Sequence, residues 1–190
     1  MLKLARSELI LGGQKSGKSR RAELLARDWL QQAPGHRATL IATAQPWDDE
    51  MRARIERHQA DRAERVPGLA TLEEAQRLPE CLAELSRPDH LLVVDCLTLW
   101  LTHLMMPAAG EGLSAEAVET SIMKLTQSIA AAPGPLVLVG NEIGLGVIPL
   151  GREVRAFVDA LGRLNQAVAA ACSRATLMAA GLPLILKDEA

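Results

Sequence analysis

An α/β domain whose parallel sheet is covered by helices on both faces is the fold the sequence predicts, from three observations. Short apolar runs alternate along the chain with longer amphipathic segments, the order that builds strand–helix–strand units. Two of those runs, Leu91-Leu92-Val93-Val94 and Leu136-Val137-Leu138-Val139, are apolar at every position, as in strands buried on both faces. Aromatic residues make up only 2%, with no Tyr and a single Phe, Phe157, which disfavours an all-β sandwich.

Taken in order, Glu8 to Leu11 is the first strand, ending in Gly12-Gly13. Ser19 to Gln32 reads as a helix stopped by Pro34-Gly35, and Arg37 to Ala42 as the next strand. A helix follows over Asp48 to about Arg65; its acidic first turn, Asp48-Asp49-Glu50, suits the positive end of the helix dipole, and Pro67-Gly68 breaks it. Leu72 to Ser86 reads as another helix, interrupted at Pro79. Leu91–Val94 is a strand, and Met106 to Gly112 an exposed loop. Leu113 to Ala132 reads as a helix with Ser114 as its N-cap, ended by Pro133-Gly134-Pro135. Leu136–Val139 is a further strand, Leu150 to Cys172 a long helix, and two short strands over 175–179 and 183–186 close the chain. No internal repeat or low-complexity linker divides residues 1–190, which read as a single domain.

The composition excludes several classes of function. The chain is 48% apolar, and 21 basic against 23 acidic residues give a net charge of −2, which does not fit a disordered chain. A near-neutral balance offers no basic footprint for nucleic acid, and so few aromatics cannot supply the platforms on which bases stack. Cys81, Cys96 and Cys172 are odd in number and lack zinc-site spacing, so they read as reduced thiols of a cytoplasmic protein. The apolar run Leu9-Ile10-Leu11 is too short for a signal-peptide core, and no stretch approaches the roughly 20 apolar residues of a membrane span.

The strongest motif is Gly12-Gly13-Gln14-Lys15-Ser16-Gly17-Lys18-Ser19, a complete G-x-x-x-x-G-K-[ST] phosphate loop between an apolar strand and a helix. Glycines let the backbone curl until its N–H groups face phosphate oxygens, and the helix start adds its positive dipole end. Lys18 supplies charge to the β and γ phosphates, and Ser19 offers a hydroxyl to Mg²⁺. Asp95, directly after the Leu91–Val94 strand, stands where a P-loop protein keeps the acid that holds Mg²⁺; it equally suits a cap on the following helix, and the two roles are compatible.

Of four histidines, His36, His90 and His103 lie beside turns or in apolar helix context and read as structural. His58 sits among Arg52, Arg54, Arg57, Arg62 and Arg65, with Arg54, His58 and Arg62 on one helical face. Neighbouring positive charge keeps an imidazole neutral, hence nucleophilic, and the arginines would stabilise phosphate charge; a solvated basic face with an incidental histidine is the competing reading. The segment Asn141-Glu142-Ile143-Gly144-Leu145-Gly146 follows a strand, where α/β sheets bind ligands. Asn141 and Glu142 there can meet an acceptor or its phosphate, and a plain glycine turn is the alternative.

These blocks in order resemble the bifunctional adenosylcobinamide kinase / adenosylcobinamide-phosphate guanylyltransferase family of cobalamin biosynthesis. The resemblance spans nearly the whole chain. It rests on the P-loop, Ala42-Thr43-Ala44 with Asp48-Asp49-Glu50-Met51, Arg54-Ile55-Glu56-Arg57-His58, and Val94-Asp95-Cys96-Leu97-Thr98. It continues through Asn141-Glu142-Ile143-Gly144, Arg155, Phe157, Asp159, Gly162, Asn165-Gln166 and Gly181-Leu182-Pro183. It implies a RecA-like, three-layer P-loop NTPase fold. It implies phosphorylation of the side-chain hydroxyl of adenosylcobinamide by ATP or GTP, then transfer of GMP from GTP to adenosylcobinamide phosphate through a GMP-histidine at His58. A P-loop kinase without guanylyl transfer is the alternative. The resemblance further implies nucleotide contacts from the P-loop, Thr43-Ala44-Gln45, Gln59-Ala60-Asp61-Arg62, Glu73 and Asp95, with Mg²⁺ between Ser19 and Asp95. It implies a homo-oligomer, including trimers in which neighbouring subunits shape the site. Lys15 stands where the family often carries arginine, keeping the charge without the planar fork.

Overall fold

The computed structural model describes residues 4–45, 57, 59–60 and 62–189. Its strands are β1 (Ser7–Gly12), β2 (Arg37–Ala42), β3 (Leu69–Glu73), β4 (His90–Asp95), β5 (Leu136–Asn141), β6 (Arg174–Ala179) and β7 (Leu182–Asp188). Its helices are α1 (Lys18–Gln32), α2 (Leu78–Leu85), α3 (Leu97–Met105), α4 (Ala115–Ala131) and α5 (Arg152–Ala171). One sheet runs β3-β2-β4-β5-β1-β6-β7. Every pairing is parallel except β6 with β7. Most of the helix expected over Asp48 to Arg65, with His58 and Asp61, lies outside the described residues; 57, 59–60 and 62–65 within it are helical.

Successive side chains of a strand point to opposite faces, so the continuous apolar runs feed two cores. Leu9, Leu11, Leu92, Val94, Leu136 and Leu138 pack with Leu82 of α2, Trp100 of α3, Leu125 of α4 and Leu164 of α5. Ile10, Leu40, Leu91, Val93, Val137 and Val139 pack with Leu25 and Ala26 of α1 and with Val66. The result is the three-layer α/β architecture expected of a RecA-like P-loop protein, with β5 inserted between the P-loop strand β1 and the Asp95 strand β4.

One element differs from the sequence reading. The helix expected from Leu72 begins only at Leu78, and Leu72 and Glu73 instead end the edge strand β3, paired with β2 from Ala38↔Leu69 to Ala42↔Glu73. The strand is mostly exposed, so it lacks the apolar pattern that marks its neighbours. Glu74 then ends it: its N–H donates to Ala42 O, and its carboxylate accepts from Gln76 and Arg77 N–H at 2.9 Å each. Those two bonds hold the Glu74 carboxyl below the usual carboxylate range, outweighing the opposing effect of its burial. Pro79 falls in the first turn of α2, where its missing N–H costs no helical bond; it begins that helix rather than interrupting it. Ser114 does cap α4, accepting from Ala117 N–H.

A buried charge ties the P-loop strand to the P-loop helix. Glu8 of β1 is fully buried and accepts from Arg21 Nε at 3.0 Å and from Thr176 Oγ1 at 2.9 Å. Arg174 of β6 stands 3.7 Å away and grips Asp188 of β7.

Candidate functional site

Six parallel strands end on one rim, and the polar residues singled out by the sequence collect at five of those ends. The register sets Gly12 beside Asn141, Asp95 beside Ala42, and Ala42 beside Glu73. At about 4.8 Å per strand, Asp95 lies two steps, about 10 Å, from the P-loop strand. Glu73 lies four steps away, about 19 Å by the same spacing.

The P-loop leaves β1 at Gly12. Lys15 (φ 57°) and Gly17 (φ 98°) are left-handed, and Arg21 N–H donates to Gly17 O at 3.0 Å to start α1. A Cβ on Gly17 would also stand 3.3 Å from Gly181 Cα. Gly181 N–H in turn donates to Ser16 O at 3.0 Å, so the β6–β7 turn braces the loop. Lys18 Nζ donates to Gly13 O at 2.9 Å, holding the ammonium on the loop. Ser16 Oγ is buried with no hydrogen-bond partner, while Gly13, Gln14 and Lys15 are exposed and Ser19 is half-buried.

Thr43 closes the end of β2 and is fully buried. Its hydroxyl donates to Cys96 O and accepts from Cys96 N–H, both at 2.8 Å, and its N–H donates to Asp95 O. That hydroxyl is therefore committed to the protein, leaving the half-buried Ala44 and exposed Gln45 as the open part of the segment. His103 Nε2–H donates to Thr43 O at 2.9 Å, and His36 Nδ1–H to Trp29 O beneath a stacked pair of rings. His90 pairs with Thr39 Oγ1, and burial pushes its pKa down. All three histidines are structural, as read from the sequence. Burial raises the Cys96 thiol, and the Asp95 charge adds to this.

Arg62 is buried on helical residues 62–65, Gln59 is half-buried and Ala60 exposed. Arg65 Nη1 meets Glu23 of α1 at 2.7 Å, which anchors the end of the histidine segment to the P-loop helix. At the end of β5, Asn141 N–H donates to Thr98 Oγ1 at 2.8 Å and Glu142 N–H to Gly12 O at 3.2 Å. The Glu142 carboxylate accepts from Gly144 N–H at 2.7 Å. Sequence reasoning assigned no role to Asn165 of α5, whose Nδ2 donates to Asn141 O at 3.1 Å and reaches Glu142 Oε2 at 3.5 Å. It also missed the bracing role of Gly181. The signal for the latter is a two-residue turn with positive φ at both Ala180 and Gly181, obscured because alanine, unlike asparagine, rarely marks such a turn.

Comparison with known proteins completes this picture. Residues 8–186 match the family described as cobinamide kinase / cobinamide phosphate guanyltransferase. The chain is 44% identical over 182 residues to the bifunctional adenosylcobalamin biosynthesis protein CobP of Pseudomonas aeruginosa, covering 96% of this chain and 98% of that protein. It is 37% and 34% identical, over 187 residues each, to the bifunctional adenosylcobalamin biosynthesis proteins CobU of Escherichia coli and Salmonella typhimurium, covering 94% of this chain and 98% of each relative. With a complete P-loop at the end of β1 and a match from the first strand to the last, the chain belongs to the cobinamide kinase / cobinamide phosphate guanyltransferase family.

Proposed function

We propose that the rim carrying the P-loop, Ala44–Gln45, Asp95 and Asn141–Glu142 is one nucleotide site serving two successive reactions. In the first, the γ-phosphoryl group of ATP or GTP passes to the side-chain hydroxyl of adenosylcobinamide. In the second, GMP from GTP joins that phosphate, giving adenosylcobinamide-GDP and pyrophosphate. The supporting observation is the gathering of the P-loop, Asp95 and the Asn141–Glu142 pair at adjacent strand ends. The family description names both activities, which disfavours a kinase without guanylyl transfer.

The residues divide the work. Backbone N–H groups of Gly13 to Ser19 and the unspent Ser16 hydroxyl receive the phosphates, and Lys18 follows the transferred group with its charge. His58 attacks the α-phosphorus of GTP, releasing pyrophosphate and holding GMP until the acceptor phosphate displaces it. Gln59, Ala60, Asp61, Arg62, Gln45 and Glu73 contribute to nucleotide recognition. Ser19 and Asp95 present hard oxygens, which suit Mg²⁺ shared with phosphates and water. No group of three or more acidic, histidine or cysteine side chains among the described residues forms a separate cage, so the substrate's phosphates complete that set. Bound there, Mg²⁺ neutralises charge on the phosphates.

The chain works as a homo-oligomer, a trimer on the family pattern, in the cytoplasm. Its three cysteines are free and buried, and among the described residues no helix is long and apolar enough to cross a membrane. The test is mass analysis of adenosylcobinamide after incubation with ATP, GTP and Mg²⁺. A gain of phosphate followed by GMP is expected, and phosphate alone would restore the kinase-only reading. With α-labelled GTP, wild type takes up an acid-labile label that His58→Ala lacks; equal labelling of both proteins removes His58 from the mechanism.

A further inference from the structure

We propose that Glu142 is the general base of the kinase step, taking the proton from the acceptor hydroxyl as it attacks the γ-phosphorus. The assignment rests on the two-reaction reading above and adds to it a catalytic role for this residue. Four described carboxylates stand at the carboxyl ends of the parallel strands: Glu73, Glu74, Asp95 and Glu142. Glu73 ends β3 and Glu74 follows it, at the far edge of the sheet. Asp95 is the carboxylate assigned above to Mg²⁺. Glu142 directly follows β5, which lies directly between β1 and β4, so it stands between the P-loop and Asp95. Its own N–H is bonded to Gly12 O, the first carbonyl of the phosphate loop.

The carboxylate is held and yet keeps capacity to accept. Gly144 N–H occupies one lone pair of Oε1 at 2.7 Å, and Asn165 Nδ2 approaches Oε2 only at 3.5 Å. A carboxylate has about four acceptor positions, so at least one remains for a hydroxyl proton. Among the described residues no ion pair neutralises it, in contrast to Glu8 and Glu23. Gly144 matters to this geometry: a Cβ there would stand 3.1 Å from Glu142 Oε1. In the step, the acceptor oxygen forms a bond to the γ-phosphorus and the bond from that phosphorus to the β–γ bridging oxygen breaks. The nucleoside diphosphate leaves, and the hydroxyl proton moves to Glu142 and then to water.

The second reaction supplies the control, because GMP-enzyme formation and transfer to a ready-made phosphate involve no hydroxyl deprotonation. Glu142→Gln retains the amide oxygen that accepts from Gly144 N–H and removes the base. Expected is a fall in the phosphorylation kcat of about 10²–10³-fold, within the range for general-base catalysis. Labelling by α-labelled GTP, and conversion of supplied adenosylcobinamide phosphate to adenosylcobinamide-GDP, fall at least tenfold less than phosphorylation does, a difference of at least about 1.4 kcal/mol. Phosphorylation retained in Glu142→Gln overturns the assignment. So does equal loss of all three activities, which would make Glu142 a support for the shared nucleotide site. Wild type that takes the GMP label but never phosphorylates adenosylcobinamide would instead defeat the kinase reading itself.

Discussion

At the junction of β2 and β4, the Thr43 hydroxyl satisfies both the N–H and the C=O of Cys96. Thr43→Val keeps the shape and strands the buried Cys96 N–H, while Cys96 O keeps its bond from Trp100 N–H at 3.1 Å. At about 1–3 kcal/mol for a buried unsatisfied group, the expected loss is about 1–3 kcal/mol, read from urea unfolding; an unchanged midpoint would contradict it. Gly17 is constrained differently. Its left-handed φ of 98° and the nearness of Gly181 Cα leave no room for a side chain, and left-handed backbone costs an L-residue roughly 1–2 kcal/mol. Gly17→Ala should therefore weaken GTP binding by about tenfold, the equivalent of about 1.4 kcal/mol, measurable by calorimetry. The cysteines predict a pH dependence. Burial pushes the Cys81 thiol up to about 11 and the Cys172 thiol up to about 12, from an ordinary 9.0. Above pH 9 the unfolded chain loses thiol protons that the folded chain keeps, so their contribution to stability is intact below pH 9 and declines as pH rises toward 11–12. Unfolding midpoints should fall over that window, and a Cys81→Ser/Cys172→Ser variant should fall less steeply.

At the scale of elements, what could be read in advance follows from burial. β1, β4 and β5 lie inside the sheet, need apolar residues on both faces, and so stand out as continuous runs. β3 is an exposed edge strand whose residues answer to solvent on most sides, and its pattern carries no period; only its pairing with β2 reveals it. The P-loop was legible because its chemistry is local in sequence. The contacts of His103 with Thr43 and of Asn165 with Asn141 and Glu142 join positions 60, 24 and 23 residues apart, and no local spacing announces them. The tie between β1 and α1 is of the same long-range kind, and it makes a prediction. Glu8→Ala removes the partner of Arg21 and leaves a buried guanidinium uncompensated, a change that costs about 3–5 kcal/mol in such settings. Because the loop lies between the two elements so joined, nucleotide affinity should fall together with the urea midpoint. A variant of wild-type stability would show that the pair is dispensable.

For the whole molecule, near-zero net charge leaves assembly to shape and apolar surface, and among the described residues exposed apolar side chains gather in two places, 143–154 and β7. Leu182, Leu184, Ile185 and Leu186 of β7 are 71%, 57%, 52% and 57% exposed. Among the described strands β7 pairs only with β6, so its outer edge offers a row of unpaired backbone groups beside apolar side chains. Such an edge invites another chain unless it is covered or charged, and an apolar area of this kind on a stable protein marks a contact surface. The homo-oligomer proposed above would cover this edge. A Leu184→Lys/Leu186→Lys variant should then sediment as a monomer at concentrations where wild type is oligomeric. Since the turn entering β7 braces the P-loop through Gly181 and Ser16, that monomer should also bind GTP more weakly than the assembled protein. Wild type that sediments as a monomer would refute the assembly, whereas a variant that stays oligomeric with unchanged GTP affinity would move the interface away from β7.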